Sequence, residues 1–153
     1  MGNSTTSVIK NITIPVLAVP LAAHFSNVKK ILFALDNSSL STVKRFRWFT
    51  KIVLKLKSEI EFFSVDKKVE TLLQQQKDVD STIDPNLTYI KYLYKKIKSS
   101  DVVNEIQAEI INYNADILVM VPQKYGFWDS LLHISKTRTM AAGLVIPLLS
   151  LPN

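Results

Sequence analysis

Cysteine is absent from this 153-residue chain. No disulfide framework and no thiolate metal site can form, thiol catalysis is excluded, and a reducing compartment is the natural home. Glycine is nearly as scarce, with only Gly2, Gly126 and Gly143. Those three cannot write a G-x-G-x-x-G fingerprint or a Walker loop, and no G-x-S-x-G elbow exists for a hydrolase triad. The two histidines, His24 and His133, stand alone with no carboxylate or second histidine at ligand spacing, so we expect no metal and no catalytic role there. Long apolar runs are missing too. The longest, Ile12 to Phe25, falls short of the roughly 20 residues a bilayer requires and is interrupted by Pro15 and Pro20. The first residues lack the basic start and cleavage site of a signal peptide, and we place the chain in the cytoplasm, without a membrane partner.

What is present is a basic, moderately apolar chain with a formal charge of +6. Such a balance invites a nucleic-acid reading. Its distribution argues against one: Lys44, Arg47, Lys51 and Lys55 fall at helical spacing opposite Val43, Phe46, Val53 and Leu56, the pattern of a solvated helix face. No nucleic-acid-binding motif accompanies the stripe.

Apolar periodicity alternates between two kinds. Lys30 to Asp36 reads as a buried strand, and Asn37-Ser38-Ser39 as a turn and helix-cap signal before an amphipathic helix from Ser41 to Lys57. Glu59 to Asp66 is a second strand. A short helix over Lys67 to Lys77 follows, with the Gln74-Gln75-Gln76 tract and Asp84-Pro85 marking a polar loop. Leu87 to Tyr94 is rich in β-formers, and Ser100-Asp101 caps a helix whose Val103, Ile106, Ile110 and Tyr113 share one face. Ala115 to Val121 is a nearly continuous apolar run, as a doubly covered central strand requires. Ser130 to Ala142 is expected to be the last helix and Val145 to Leu151 the last strand. Strands alternating with helices define an α/β fold: an open, mostly parallel five-stranded sheet with helices on both faces.

The first residues repeat the last. Ile14 to Pro20 and Ile146 to Pro152 share an Ile-Pro start and a closing proline at a constant offset of 132 residues, and a helix-like segment precedes each. An offset of that size is about one small domain. Residues 1–22 therefore read as the last helix and edge strand of a preceding domain, and 28–152 as a complete one.

Taken together, the order of elements, Asp36 closing the first strand, the ADILVMVP strand, the segment from Val121 to Ser135 and the closing IPLLSLP strand resemble the universal stress protein family over residues 28–152. The resemblance implies a Rossmann-like sheet of order 3-2-1-4-5, here with an extra N-terminal helix and strand, and adenosine triphosphate at the carboxyl ends of the strands. It also implies a G-x-x-G-x9-G-[ST] loop whose glycines admit phosphates. This chain places Val121, Lys124, Ile134 and Ser135 on that pattern, so all three glycines are replaced and only the serine remains. Lys124 could supply a compensating cation. Asp36 and Val65 match positions that flank the adenosine, although Asp36 serves equally as a turn or capping carboxylate and Val65 as a buried strand residue. No cofactor is assigned; ATP is the one the family offers. The last strand implies association, with Ile14, Val16 and Val19 and with Ile146, Leu148 and Leu151 as edge residues, between two copies as a homodimer or with the missing tandem domain. Phe127 and Trp128 read as a lid or an interaction patch. The expected function is a regulatory, stress-response module more than an enzyme, with a working adenine-nucleotide binder or slow ATPase as the alternative.

Overall fold

In the computed structural model, residues 13–21, 23, 27–35, 43–82, 89–121 and 146–152 are described. They form six strands and three helices: β1 (Val16–Ala18), β2 (Lys30–Leu35), α1 (Val43–Leu56), β3 (Glu59–Asp66), α2 (Val69–Thr82), β4 (Tyr92–Lys98), α3 (Val102–Tyr113), β5 (Ile117–Met120) and β6 (Leu148–Ser150). The expected helices over 5–11 and 130–142 lie outside the described residues.

Alternation along each central strand sorts apolar side chains to two faces. On one face Leu32, Ala34, Phe63, Val65, Leu118 and Met120 meet Ile106, Ile110 and Tyr113 of α3. On the other, Ile31, Phe33, Leu35, Ile60, Phe62 and Val119 meet Phe49 and Val53 of α1 and Val79 of α2. Burial on both faces is why β2 and β5 read as nearly unbroken apolar runs. Phe33 packs edge-on against Phe49 at 5.2 Å and beside Phe62 at 5.5 Å.

The strand order is β1-β6-β5-β2-β3-β4. From β2 onward the pairs are parallel, and those five strands read 3-2-1-4-5 when counted from β2. The extra N-terminal strand is a sixth member of the same sheet: β1 pairs antiparallel with β6, Val16 opposite Ser150, Leu17 opposite Leu149 and Ala18 opposite Leu148. Both edges of β6 are thereby occupied.

Three expectations are corrected. The third domain strand is β4 at Tyr92–Lys98, not Leu87 to Tyr94; at a sheet edge a lysine-rich strand keeps its ammonium groups in water and discourages further pairing. The second helix runs through the glutamine tract to Thr82, because glutamine is a good helix former and fully buried Val79 anchors its last turns. Leu56, expected on the apolar face of α1, is 42% exposed; Val53 is buried there as expected, with Phe49 beside it on the same face. Lys51 and Lys55 are exposed, as a solvated face demands.

Candidate functional site

In an open α/β sheet, ligands bind beyond the carboxyl ends of the strands, where the direction of winding reverses. Here α1 and α2 cover one face while the chain winds from β2 to β3 to β4, and α3 covers the other as it returns to β5. The reversal falls between β2 and β5, whose carboxyl ends are Leu35 and Met120. Of the residues assigned to the nucleotide site, Val65 and Val121 are described. Val65 is 5% exposed and packed into the α3-side core. Val121 follows β5, half-buried, and packs against the opposite core. Both stand at the carboxyl edge, but β2 separates their strands and their side chains take opposite faces. Asp36, Lys124 and Ser135 lie outside the described residues, as do Phe127 and Trp128.

Nearby, Asp66 ends β3 with its carboxylate accepting from the Lys68 N–H at 2.8 Å, and Asp101 caps α3 by accepting from the Asn104 N–H at 3.3 Å. Those two carboxylates organise the loops that border the carboxyl edge. An open groove of about 770 Å³, lined by Lys29, Leu54, Lys57, Glu59, Tyr89 and Lys91 among others, sits at the opposite, amino-terminal edge of the sheet. It is not where this architecture places a ligand.

A second constellation went unread in the sequence. Glu61 on β3 and Glu109 on α3 are 6% and 3% exposed and face one another across the α3-side core. Lys95 on β4 donates to Glu109 Oε2 at 2.5 Å, and lies 5.9 Å from the Phe63 ring centre. Among the described residues, Glu61 Oε1 and the Tyr113 hydroxyl are both buried with no hydrogen-bond partner. Burial, and then the neighbouring Glu109 carboxylate, push the Glu61 carboxyl up to about 7. Burial likewise pushes the Tyr113 hydroxyl up, helped by the charges of Glu59 and Glu61. Glu59 behaves oppositely: its hydrogen bond from Lys91, 2.8 Å away, holds it below the usual carboxylate range. The signal was available, since Glu109 lies at helical spacing from Ile106 and Tyr113 on the apolar face and Glu61 interrupts an apolar strand. The pair faces the middle of α3 and not the carboxyl edge, so it governs packing and does not build a ligand pocket.

These features define a class: a doubly wound, mostly parallel α/β domain with an antiparallel strand at its flank. Within that class the chain has the fold of the universal stress proteins. It aligns with a universal stress protein from Archaeoglobus fulgidus DSM 4304 at TM-score 0.65 and 15% identity, over 97% of this chain and 53% of that one. A second structure, a universal stress protein from Archaeoglobus fulgidus, aligns at TM-score 0.53 and 11% identity, over 80% of this chain and 94% of that one. The chain thus spans only about half the length of the first of these. No family model and no curated protein matches the sequence. Among the described residues, no helix is long and apolar enough to cross a membrane.

Proposed function

We propose that the chain is a universal-stress-protein-like regulatory module of the cytoplasm whose nucleotide site is degenerate. The observation that carries this reading is the contrast between scaffold and loop. The sheet presents the winding reversal that ligand-binding α/β domains use, yet the loop that follows β5 begins with Val121, whose side chain packs against the core. A phosphate cradle needs backbone N–H groups at van der Waals approach, and a Cβ at each of three glycine positions fills that space. Lys124 supplies charge there without supplying room.

Residues 1–22 in this reading are the closing helix and strand of a preceding, similar domain. The 132-residue repeat supports it, and so do the alignment shares: the longer neighbour covers 97% of this chain, and the one matched over almost its whole length covers 80%. The difference is comparable to the part of the chain that precedes β2. The last strand is then the edge along which such domains associate.

Calorimetric titration of the purified chain with MgATP tests the reading. We expect no saturable binding at micromolar nucleotide, and a gain of binding when Val121→Gly and Lys124→Gly reopen the cradle. Micromolar binding by the unaltered chain would overturn the proposal in favour of the second reading, a working adenine-nucleotide binder that uses Asp36, Val65, Lys124 and Ser135. That alternative is motivated by the carboxylate, cation and hydroxyl that the sequence retains.

A further inference from the structure

The groove at the amino-terminal edge of the sheet has a chemistry of its own. It lies between the end of α1 and the segment that enters β4, with a volume of about 770 Å³. Buried Val53 and Ile90 form its floor, while Leu54, Leu56 and Tyr89 stand exposed around it, Tyr89 at 87%. Large apolar side chains left in water around one hollow mark a surface that an apolar ligand would cover.

The lysines of this edge are not equivalent. Lys91 pairs with Glu59 at 2.8 Å, and Lys30 lies 4.0 Å from the same carboxylate while donating to the Tyr113 carbonyl. Lys29 and Lys57 also line the groove, and neither ammonium has an ion pair among the described residues. Other donors here are committed. The Lys29 and Lys30 N–H groups both donate to Asp116 Oδ2 at 2.8 Å, and the Ser58 hydroxyl donates to the Val28 carbonyl at 2.6 Å. The N–H groups of Lys57, Ser58, Glu59 and Ile60 all donate to main-chain carbonyls. An anion at this edge is therefore met by two ammonium groups and not by backbone. Lys57 adds an independent sign, because its φ of 54° is a conformation that glycine adopts without a Cβ clash. Backbone strain of this kind persists where a side chain has a use. What lysine adds over glycine at this helix end is a cation at the groove.

We infer that this groove binds a small anionic amphiphile, an aliphatic carboxylate whose head is held by Lys29 and Lys57 and whose chain covers Leu54, Leu56 and Tyr89. The charge of the free lysines selects the head. The apolar lining is aliphatic apart from Tyr89, which selects an alkyl body over a ring. The volume falls within the roughly 300–1,000 Å³ of small-molecule sites. Twelve described residues line the groove, fewer than the roughly 20–30 that each side of a stable protein interface supplies. Two free cations beside the Glu59 carboxylate are too few to hold a polyanion such as nucleic acid. The inference does not rest on the nucleotide site, which lies at the other edge of the sheet.

Titration of the full chain with decanoate, read by amide shifts in nitrogen–proton correlation spectra and by calorimetry, tests the inference. Saturable shifts are expected at Leu54, Leu56, Lys57, Tyr89 and Ile90, and the affinity should fall as salt screens the lysines. Decanol, with the same chain and no charge, should bind about tenfold more weakly. Lys57→Gly relieves backbone strain, so a loss of about tenfold in decanoate affinity in that variant does not come from unfolding. Lys57→Arg keeps the cation and should keep the affinity. Lys29→Gln leaves the helix end intact and should lose as much as Lys57→Gly, which preserves the test if the glycine variant fails to fold. Absent or unsaturable shifts at these amides overturn the inference, as does decanol binding as tightly as decanoate or an unchanged affinity in either lysine variant. So does an acidic, leucine-bearing peptide that shifts the same amides where decanoate does not, which would make the groove a protein-docking surface. The MgATP titration reads the carboxyl edge, so the two proposals fail separately.

Discussion

Lys57 and Asn114 each sit in left-handed backbone, at φ 54° and 55°, directly after α1 and α3. Both helices close the same way: the Lys57 N–H donates to the Leu54 carbonyl and the Ser58 N–H to Val53, and the Asn114 N–H donates to Ile111 and the Ala115 N–H to Ile110. This double bond pattern usually employs glycine, which reaches positive φ without a Cβ clash. With so little glycine in the chain, asparagine and lysine fill the role. Asparagine enters left-handed backbone at little cost, whereas lysine pays the full Cβ clash. Lys57→Gly is therefore expected to stabilise the fold by about 1 kcal/mol, and Asn114→Gly by a few tenths, both read as midpoint shifts in urea unfolding. A destabilised Lys57→Gly would mean that the lysine side chain at the mouth of the amino-edge groove contributes more than its backbone costs. Neither closure was legible in the sequence, because no glycine marks either helix end.

At the scale of elements, the contact of α3 with the sheet carries the titration. Glu61 of β3 and Glu109 of α3 are met by Lys95 of β4, with Lys30 of β2, Glu59 of β3, Tyr113 of α3 and Asp116 at the start of β5 placing further charge or hydroxyl around them. Glu61 binds its proton more tightly folded, at about 7, than at its ordinary 4.5. The folded state thus holds the extra proton between those values, so stability falls as pH rises through that interval and levels off above it. The displacement corresponds to about 3 kcal/mol at most, and relaxation and water entry reduce it. Urea unfolding between pH 5 and 8 should show this decline, and Glu61→Gln should flatten it, since the amide keeps the shape and cannot ionise. A decline that persists in Glu61→Gln would assign it to another group. The face of α3 was readable from Val103, Ile106, Ile110 and Tyr113, and the structure buries the last three. Position along the sheet was harder to read. Nothing local in Tyr92–Lys98 says that its lysines stand at an edge, and that tertiary placement is what makes the segment a strand.

Across the whole molecule, stability is distributed from the centre outward. Leu32, Phe62, Phe63, Leu118 and Val119 of β2, β3 and β5 are wholly buried or nearly so, whereas the flanking β1 contributes three paired residues, with Leu17 and the adjoining Ile14 and Val19 about half exposed or more. The βαβ order was legible because apolar runs mark the doubly covered strands β2 and β5, whereas the strand order came from the family resemblance. The repeat also marked β1, but its register against β6 emerges only when both strands stand in one sheet. Of the proposed nucleotide site, the sequence supplied only a degraded pattern, and the burial of Val65 is explained by packing alone. Local opening follows few buried contacts and solvent-exposed hydrogen bonds, so β1 should open at far lower cost than the sheet centre. Amide hydrogen exchange of the full chain is expected to leave Leu32 to Ala34, Phe62 to Ser64 and Leu118 to Val119 exchanging last, by global unfolding, while the β1 amides exchange first among the strands. Protection of β1 equal to that of β2 would show that the flank opens only with the whole domain.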